Sequence, residues 1–376
     1  YFALSQGNDP LHWTEMNNGN PVFISELGEK GLRDPFIIRS PEGDRFYLIA
    51  TDLKIYGNGD WTAAQRTGSL SIVVWESTDL VNWSKQRMVE VSPESAGNTW
   101  APEVFYDKTT GEYVVFWASK IYSDSNKTGS PHQRIMYAKT RDFYTFTEAK
   151  EYHNPGYSVI DTTMIEHEGK IYRFTKDERG YHATNSPNGK FIFQEVGDSV
   201  LGEFTMIREG IGKGAISQGE GPTIFKANGE DKWYLFIDEF GGRGYVPFET
   251  TDLSSGEWKV SENYQLPSRP RHGTVLPITV SEYQRVSNNV PVEVEKPEII
   301  SVVDIILDKN VLTLSVGDNK QLKATIVPEN ATNKNVIWKS DNETVATIND
   351  AGYITAISKG TTIISVSTAD GGYAAT

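Results

Sequence analysis

Five times along this chain a short apolar run opens on a polar side chain. The openings are Asp34 in GLRDPFII, Glu103 in WAPEVFY, Asp161 in VIDTTMI, Glu220 in GEGPTIF and His272 in RHGTVLPI. Successive openings are 69, 58, 59 and 52 residues apart. Each is followed by a stronger β run: RFYLIATD, EYVVFWAS, KIYRFTKD, KWYLFIDE and EYQRV. A unit of short strands recurring at such intervals predicts a β-propeller of five blades. The first strand of each blade then lines the axis. Five polar groups at strand starts, four of them carboxylic acids, would converge at one end of it.

A second series repeats as well. SQGNDPLHW ends at Trp13, ESTDLVNW at Trp83, KTRDFYTF at Phe146, TNSPNGKFIF at Phe193 and TTDLSSGEW at Trp258. Each is a polar turn followed by an aromatic, as in a hairpin entering an outer strand. The first outer strand precedes every inner strand, and the last inner strand, at His272, has no outer strand after it. The simplest closure pairs residues 1–16 with 272–286 in one shared blade, which removes a free sheet edge.

Composition agrees with strands rather than helices. Aromatics make up 11%, with 9 Trp and 18 Tyr, and no long stretch has helical periodicity. Trp75, Tyr113, Trp117, Tyr172, Trp233 and Tyr234 are expected in strand cores. No apolar run is long enough for a membrane span. The net charge of −14 argues against a nucleic-acid partner and suits a neutral ligand. With no cysteine, disulfide scaffolds, zinc thiolates and Cys nucleophiles are excluded. The chain opens inside a β run, YFALS, without a visible leader, as expected of a trimmed product.

Near 287–299 the segment PVEVEKPEII reads as a linker between a propeller at 1–286 and a second domain at 300–376. The second domain has a different texture. VLTLSVGD, QLKATIVPE, NVIWKSD, TVATIND, GYITAIS and TTIISVS alternate, are rich in β-branched residues and are nearly free of aromatics. They predict an Ig-like β-sandwich with Trp338 filling its core. This stretch resembles the bacterial Ig-like domain of group 2. The resemblance implies a spacer or wall-proximal module, one that would ordinarily add a last strand after Thr376.

Glycoside hydrolysis needs two carboxyl groups across the anomeric carbon. Asp34 and Glu220 open strands in different repeats, so both can face one site. Glu220 lies between glycines, where backbone can approach a sugar closely. Asp34 precedes Pro35, which biases it towards extended backbone. Asp161 is a third acid able to orient a neighbouring Glu and raise its pKa. Each has a plainer reading, as turn residue, backbone cap or solvated acid. Long connections at 54–69, 120–133 and 203–217 are read as insertions that would wall off a pocket for a terminal sugar.

GLRDPFI, WAPEV, VIDTTMI, GEGPTIFK and HGTVLPI, in that order, resemble glycoside hydrolase family 43 over roughly residues 1–286. That family consists of five-bladed propellers acting on arabinose- and xylose-containing polysaccharides. The resemblance implies Asp34 as general base, Asp161 as pKa modulator and orienter, and Glu220 as general acid. It implies that His272 lies near a structural Ca²⁺ or sodium ion on the axis; a hydrogen-bonded histidine without metal is the other reading. Glu103 departs from the WAPD of many relatives and either contacts sugar or shapes the channel. Arg33, Trp100, Tyr157 and Arg271, with Glu103, are the candidate substrate-binding residues, and Trp61 is a further stacking candidate. The resulting expectation is an all-β, extracellular or cell-surface bacterial enzyme, monomeric, with no nucleic-acid or membrane partner. Its activity would be inverting removal of terminal α-L-arabinofuranosyl residues. β-Xylosidase and endo-arabinanase are alternatives within the class. A carbohydrate-binding propeller without catalysis and a purely adhesive protein are alternatives outside it.

Overall fold

The computed structural model describes all residues except 58, 181–185, 269, 295–301, 330, 332, 370 and 371. The chain divides into two compact units, one of Tyr1–Lys139 and Phe146–Glu295, the other of Lys296–Thr376 with the turn Thr140–Thr145.

The first unit opens with a hairpin, β1 (Ala3–Gln6) and β2 (Asp9–Glu15). Blade one follows as β3 (Leu32–Arg39), β4 (Phe46–Asp52), β5 (Ser71–Ser77), β6 (Asn82–Trp83) and β7 (Arg87–Glu90), with a short helix α1 (Trp61–Ala64) between β4 and β5. Blade two is β8 (Trp100–Asp107), β9 (Glu112–Lys120), β10 (Gln133–Thr140) and β11 (Lys150–His153). Blade three is β12 (Val159–His167), β13 (Lys170–Asp177), β14 (Ile192–Gly197) and β15 (Phe204–Ile211). Blade four is β16 (Gly219–Lys226), β17 (Trp233–Glu239), β18 (Gly244–Thr250) and β19 (Lys259–Val260). The innermost strands touch in succession, β3 to β8, β8 to β12 and β12 to β16, and so surround the axis.

Blades bury both faces against their neighbours, which is why β4, β17 and β18 are buried at every residue and read as continuous apolar runs rather than alternating ones. One core lies between blades two and three, around Phe116, Ile135, Ile160 and Phe193. Another lies between blades three and four, around Phe174, Phe191, Leu235 and Phe248. The strand-core aromatics behave as expected: Trp75, Tyr113, Trp117, Tyr172, Trp233 and Tyr234 are all buried.

The fifth blade differs from the sequence reading. The segment after His272 forms no ladder, and EYQRV lies in a helix, α2 (Val280–Asn288). Thr279 and Glu282 form a reciprocal capping box there, which satisfies two otherwise orphan N–H groups. That Thr-x-x-Glu spacing was visible in the sequence and outweighs the β tendency of the short run. Ring closure instead goes through Gln265, whose N–H and C=O bond Leu11 and Trp13 of β2 at 2.8 Å each. Leu276, Ile278 and Val286 then pack with the β1–β2 hairpin and blade one.

Two further expectations are corrected. The run ending at Phe193 leads into β14, the third strand of its blade, so the supposed insertion at 203–217 is mainly the outermost strand β15. Part of TNSPNGKFIF lies outside the described residues. The expected linker also begins too early. A strand β20 (Val292–Glu293) pairs in parallel with β6, and Trp75 Nε1 donates to Glu293 Oε1 at 2.6 Å. Residues 295–299 of that linker lie outside the described residues.

The second unit contains β21 (Asp304–Leu307), β22 (Asn319–Gln321), β23 (Ala324–Val327), β24 (Val336–Ser340), β25 (Ala346–Ile348), β26 (Tyr353–Ala356), β27 (Ile364–Thr368) and β28 (Ala374–Ala375). They form three small antiparallel sheets, β21–β23, β22–β26–β25 and β24–β27–β28. Trp338 packs against both of the unit's apolar clusters, the core-filling role expected of it. VLTLSVGD, read as a strand, forms none.

Candidate active site

Each innermost strand breaks its ladder near its start. Pairing shifts between Arg33 and Phe36 in β3, Trp100 and Glu103 in β8, Ile160 and Thr162 in β12, and Glu220 and Thr223 in β16. Within each break one residue is left-handed: Asp34 (φ 50°), Ala101 (49°), Asp161 (51°) and Gly221 (50°). These are β-bulges, which re-aim the side chains around them. For a residue with a Cβ this backbone costs about 1–2 kcal/mol, and Asp tolerates it better than most.

The bulges correct the sequence alignment of the acids. Asp34 and Asp161 are equivalent, but Glu103 lies two residues past its bulge and Glu220 one before its own. Counting from the start of an apolar run does not show which residue occupies the bulge that all four strands share. Asp34 is also not extended, because the bulge overrides the bias from Pro35. The glycines flanking Glu220 have a reason other than closeness to a sugar. A Cβ on Gly221 would lie 2.5 Å from His272 Cγ, and one on Gly219 would lie 2.6 Å from Ile237 Cγ2.

His272 is the hub. Its Nδ1 is 3.5 Å from Asp34 Oδ1 and 4.0 Å from Asp161 Oδ1, and its Nε2 is 3.9 Å from Glu103 Oε1. Burial opposes its charge, but Glu103, Asp161 and Asp34 outweigh burial and push its pKa up to about 10. The ring is therefore an imidazolium at neutral pH. Burial pushes Glu103 up to about 7 against the pull of His272 and Thr163. Its Oε2 is buried with no hydrogen-bond partner. Glu103 is thus packed beneath the site, beside His272, rather than open to a sugar. Asp161 is also raised by burial, partly countered by His272 and Lys176.

Among the described residues no group of three or more His, Asp or Glu is disposed to hold an ion directly. A structural ion near His272 would be held through water, as an oxygen-ligated site.

Hydrogen bonds tie the remaining acids together. Asp34 Oδ2 accepts from Thr51 Oγ1 at 2.9 Å, and Thr51 Oγ1 accepts from Ala101 N–H at 2.7 Å. Asp161 Oδ2 accepts from Gly221 N–H at 3.0 Å, so it anchors the residue next to Glu220. Glu220 Oε2 accepts from Lys176 Nζ at 3.0 Å, and Glu220 Oε1 lies 3.4 Å from Arg271 Nη2. Arg271 Nε also donates to Asp238 Oδ2 at 2.6 Å. The structure thus gathers Asp34, Asp161, Glu220, Glu103, Arg271 and His272 into one constellation.

The other candidates fall into two groups. The Arg33 guanidinium lies over the Trp61 ring at 5.6 Å, and Trp61 meets Trp100 edge-on at 5.9 Å. Tyr157 carries the Arg179 guanidinium over its ring at 3.7 Å, and Arg179 is held by Asp177. Reading the sequence missed Thr51, Lys176 and Asp238. They pair across from Arg33, Ile160 and Glu220, immediately before the bulges. The available signal was a polar residue at the end of an apolar second strand, as in LIATD, RFTKD and LFIDE.

Both parts of the chain resemble known proteins. Residues 1–284 match the family described as a probable glycosyl hydrolase domain, related to family 43, and residues 301–376 match the bacterial Ig-like domain of group 2. An alpha-L-arabinofuranosidase of Bifidobacterium longum subsp. longum is 35% identical over 291 residues, 69% of this chain. The chain spans 27% of that relative's length. Among solved structures, a thermostable family-43 glycoside hydrolase has 19% identity and a TM-score of 0.46, covering 67% of this chain and 81% of its own. The catalytic domain of a Coprinopsis cinerea GH62 alpha-L-arabinofuranosidase has 12% identity and a TM-score of 0.43, covering 69% and 78%. With the match running through every bulged strand and the acids they carry, the chain belongs to the family-43-related glycosyl hydrolases and ends in a group 2 bacterial Ig-like domain.

Proposed function

We propose that the protein is an inverting glycoside hydrolase that removes terminal α-L-arabinofuranosyl residues from plant-type polysaccharides or oligosaccharides, acting outside a bacterial cell or on its surface. The observation that carries the reading is the placing of Asp34 and Asp161 beside His272, with Glu220 next to the Gly221 N–H that Asp161 holds, each acid on a different blade. The named activity of the Bifidobacterium relative supports the choice of sugar.

In this reading Glu220 gives its proton to the glycosidic oxygen as that bond breaks. Asp34 takes a proton from water, whose oxygen attacks the anomeric carbon from the opposite face, so the configuration inverts. The Ala101–Thr51–Asp34 chain fixes the base, with Oδ2 accepting from Thr51. Asp161 positions the acid by holding Gly221 N–H. Arg33, Trp61 and Trp100 would contact the sugar from the Asp34 side, and Tyr157 from the Asp161 side.

Hydrolysis of paired aryl α-L-arabinofuranoside and aryl β-D-xyloside tests the reading. We expect the larger kcat/KM on the arabinofuranoside, with proton NMR showing an inverted first product. A larger kcat/KM on the xyloside makes the protein a β-xylosidase. Sugar binding without hydrolysis makes it a binding propeller.

A further inference from the structure

The connection between β4 and β5 places a different chemistry beside the acids. It carries Tyr56, 91% exposed, and Trp61, 42% exposed. The Arg33 guanidinium lies over the Trp61 ring at 5.6 Å, and Trp61 meets Trp100 edge-on. Five residues after Trp61 comes Arg66, over the Tyr122 ring at 5.7 Å. Its Nη1 and Nη2 donate to the carbonyls of Lys127 and Gly129 at 2.8 and 3.2 Å. Lys120, the last residue of β9, lies close enough to Arg66 to feel its charge. Arg33 and Trp100 open innermost strands and Lys120 ends a second strand, so they stand at the same end of the propeller as Asp34.

Arg33, Arg66 and Lys120 are half-buried, and among the described residues none of them is paired with a carboxylate. Exposed Asp124 acts on Arg66 only through space. By contrast, Lys176, Arg271 and Arg179 each have a carboxylate partner. Partners are not scarce, since the chain has 50 Asp and Glu against 36 Lys and Arg. Burying a cation even partly without a counter-ion costs stability. Burial and Arg66 both work against the charge on Lys120 and lower its pKa. Three such cations beside exposed aromatics form a surface for a ligand that brings its own carboxylate, which the planar guanidinium fork is shaped to accept. That carboxylate cannot lie on the sugar held among Asp34, Asp161 and Glu220, where like charge repels it. It belongs to a residue further along the glycan.

We propose that the glycan from which the terminal sugar is removed is acidic: a hexuronic acid residue of its backbone stacks on Trp61 and is held through its carboxylate by Arg33 and Lys120, with Arg66 adding to the positive field. The proposal rests on the glycosidase reading above and deepens it by naming the class of the aglycone. A side-chain sugar branches from a backbone that continues on both sides of it. A neighbouring backbone residue therefore reaches this wall while Glu220 faces the bond being broken. The overall charge of −14 disfavours polyanions at a distance. The preference is accordingly for isolated carboxylates placed close to the three cations, not for a densely charged polymer.

The test compares each substrate with its own neutral form. An arabinosylated oligosaccharide bearing glucuronic acid is hydrolysed before and after its carboxyl is reduced to the alcohol with carbodiimide and borohydride. A second pair carries galacturonic acid. For the full chain at low salt, kcat/KM should be about tenfold or more higher on the carboxylate form of at least one pair, and added salt should shrink the ratio. In Arg33→Gln and in Lys120→Met the ratio should fall towards one; if Arg33→Gln does not fold, Lys120→Met carries the comparison. Lys120→Met should also leave the melting temperature unchanged or raise it, because the charge it removes has no partner in the free protein. A lower melting temperature means that Lys120 serves stability and counts against the proposal. A ratio near one in the wild type for both pairs overturns it, as does a ratio that survives in the folded variants. If neither form is hydrolysed, the arabinofuranosidase reading fails, and calorimetric titration with the same oligosaccharides decides the proposal separately. Tighter binding of the carboxylate form, lost in Lys120→Met, upholds the acidic-glycan assignment; equal binding of the two forms overturns it.

Discussion

Gly221→Ala tests the architecture of the site through a single methyl group. Gly221 is left-handed, at φ 50°, and a Cβ there would meet His272 Cγ at 2.5 Å and Cβ at 2.6 Å. The backbone alone costs about 1–2 kcal/mol. The steric part is overpacking against a ring held among Asp34, Glu103 and Asp161, at about 1–3 kcal/mol. The sum is about 2–5 kcal/mol, which lowers the melting temperature of a unit this size by on the order of 10 °C. Gly129→Ala separates the two parts: φ is 83° there and nothing lies within 4 Å of the added Cβ. It should lose only about 1 kcal/mol. The assay is thermal and urea unfolding of the full chain, following the transition of the propeller. Equal losses in the two variants would refute the close packing of Gly221 on His272. A folded Gly221→Ala should also lose activity, because its N–H is the group through which Asp161 holds the residue beside Glu220.

Glu220→Gln should nearly abolish hydrolysis of natural polysaccharide, yet spare an aryl glycoside with a very acidic phenol, whose leaving group needs no proton. Equal loss on both substrates removes Glu220 from the acid role. His272 has a folded pKa of about 10 against an ordinary 6.5, so the stability it contributes is complete below about pH 6.5 and disappears as pH rises through about 10. His272→Gln should flatten that part of the melting-temperature profile; an unchanged alkaline slope contradicts the imidazolium assignment. Glu282, paired with Arg39 at 2.5 and 2.8 Å, is held near pKa 2 instead of 4.5, first by that bond. Its contribution is present above about pH 4.5 and is lost as pH falls through about 2. Glu282→Gln should cost about 1–3 kcal/mol at pH 7, and a difference from wild type that persists at pH 2 counts against this pairing.

The regular part of the fold was legible because each blade buries both faces, so second strands such as Phe46–Asp52 and Trp233–Glu239 are uninterrupted apolar runs. The acids were legible as residue types but not as equivalent positions. All four strands share the bulge, but composition does not mark which residue occupies it, so Glu103 and Glu220 looked aligned with Asp34 and Asp161. Ring closure was hidden for a different reason. Gln265 contributes only backbone bonds, which leave no mark on side-chain pattern. Helix α2, by contrast, announced itself at Thr279 and Glu282, and a four-residue capping pattern should have outranked a five-residue β run. Lys176 escaped notice because it lies on a second strand, in a different blade from the Glu220 it bonds.

The closure of blade one has a consequence for how the chain is made. Arg39 is bonded to Glu282, 243 residues later, and Trp75 to Glu293, 218 residues later. The first blade to leave the ribosome is therefore the last to acquire all its partners. Until the segment carrying α2 and β20 emerges, β6 presents an unpaired edge and the Phe2, Phe23 and Trp83 cluster lacks Leu276, Ile278 and Val286. Blades two and three pack mainly on neighbours closer in sequence, so they can settle in the order of synthesis, while blade four already finds Leu11 of the opening hairpin made. Closing the longest loops last makes assembly slow in its final step. A nascent chain halted before residue 280 should accordingly show protease cuts concentrated in blade one.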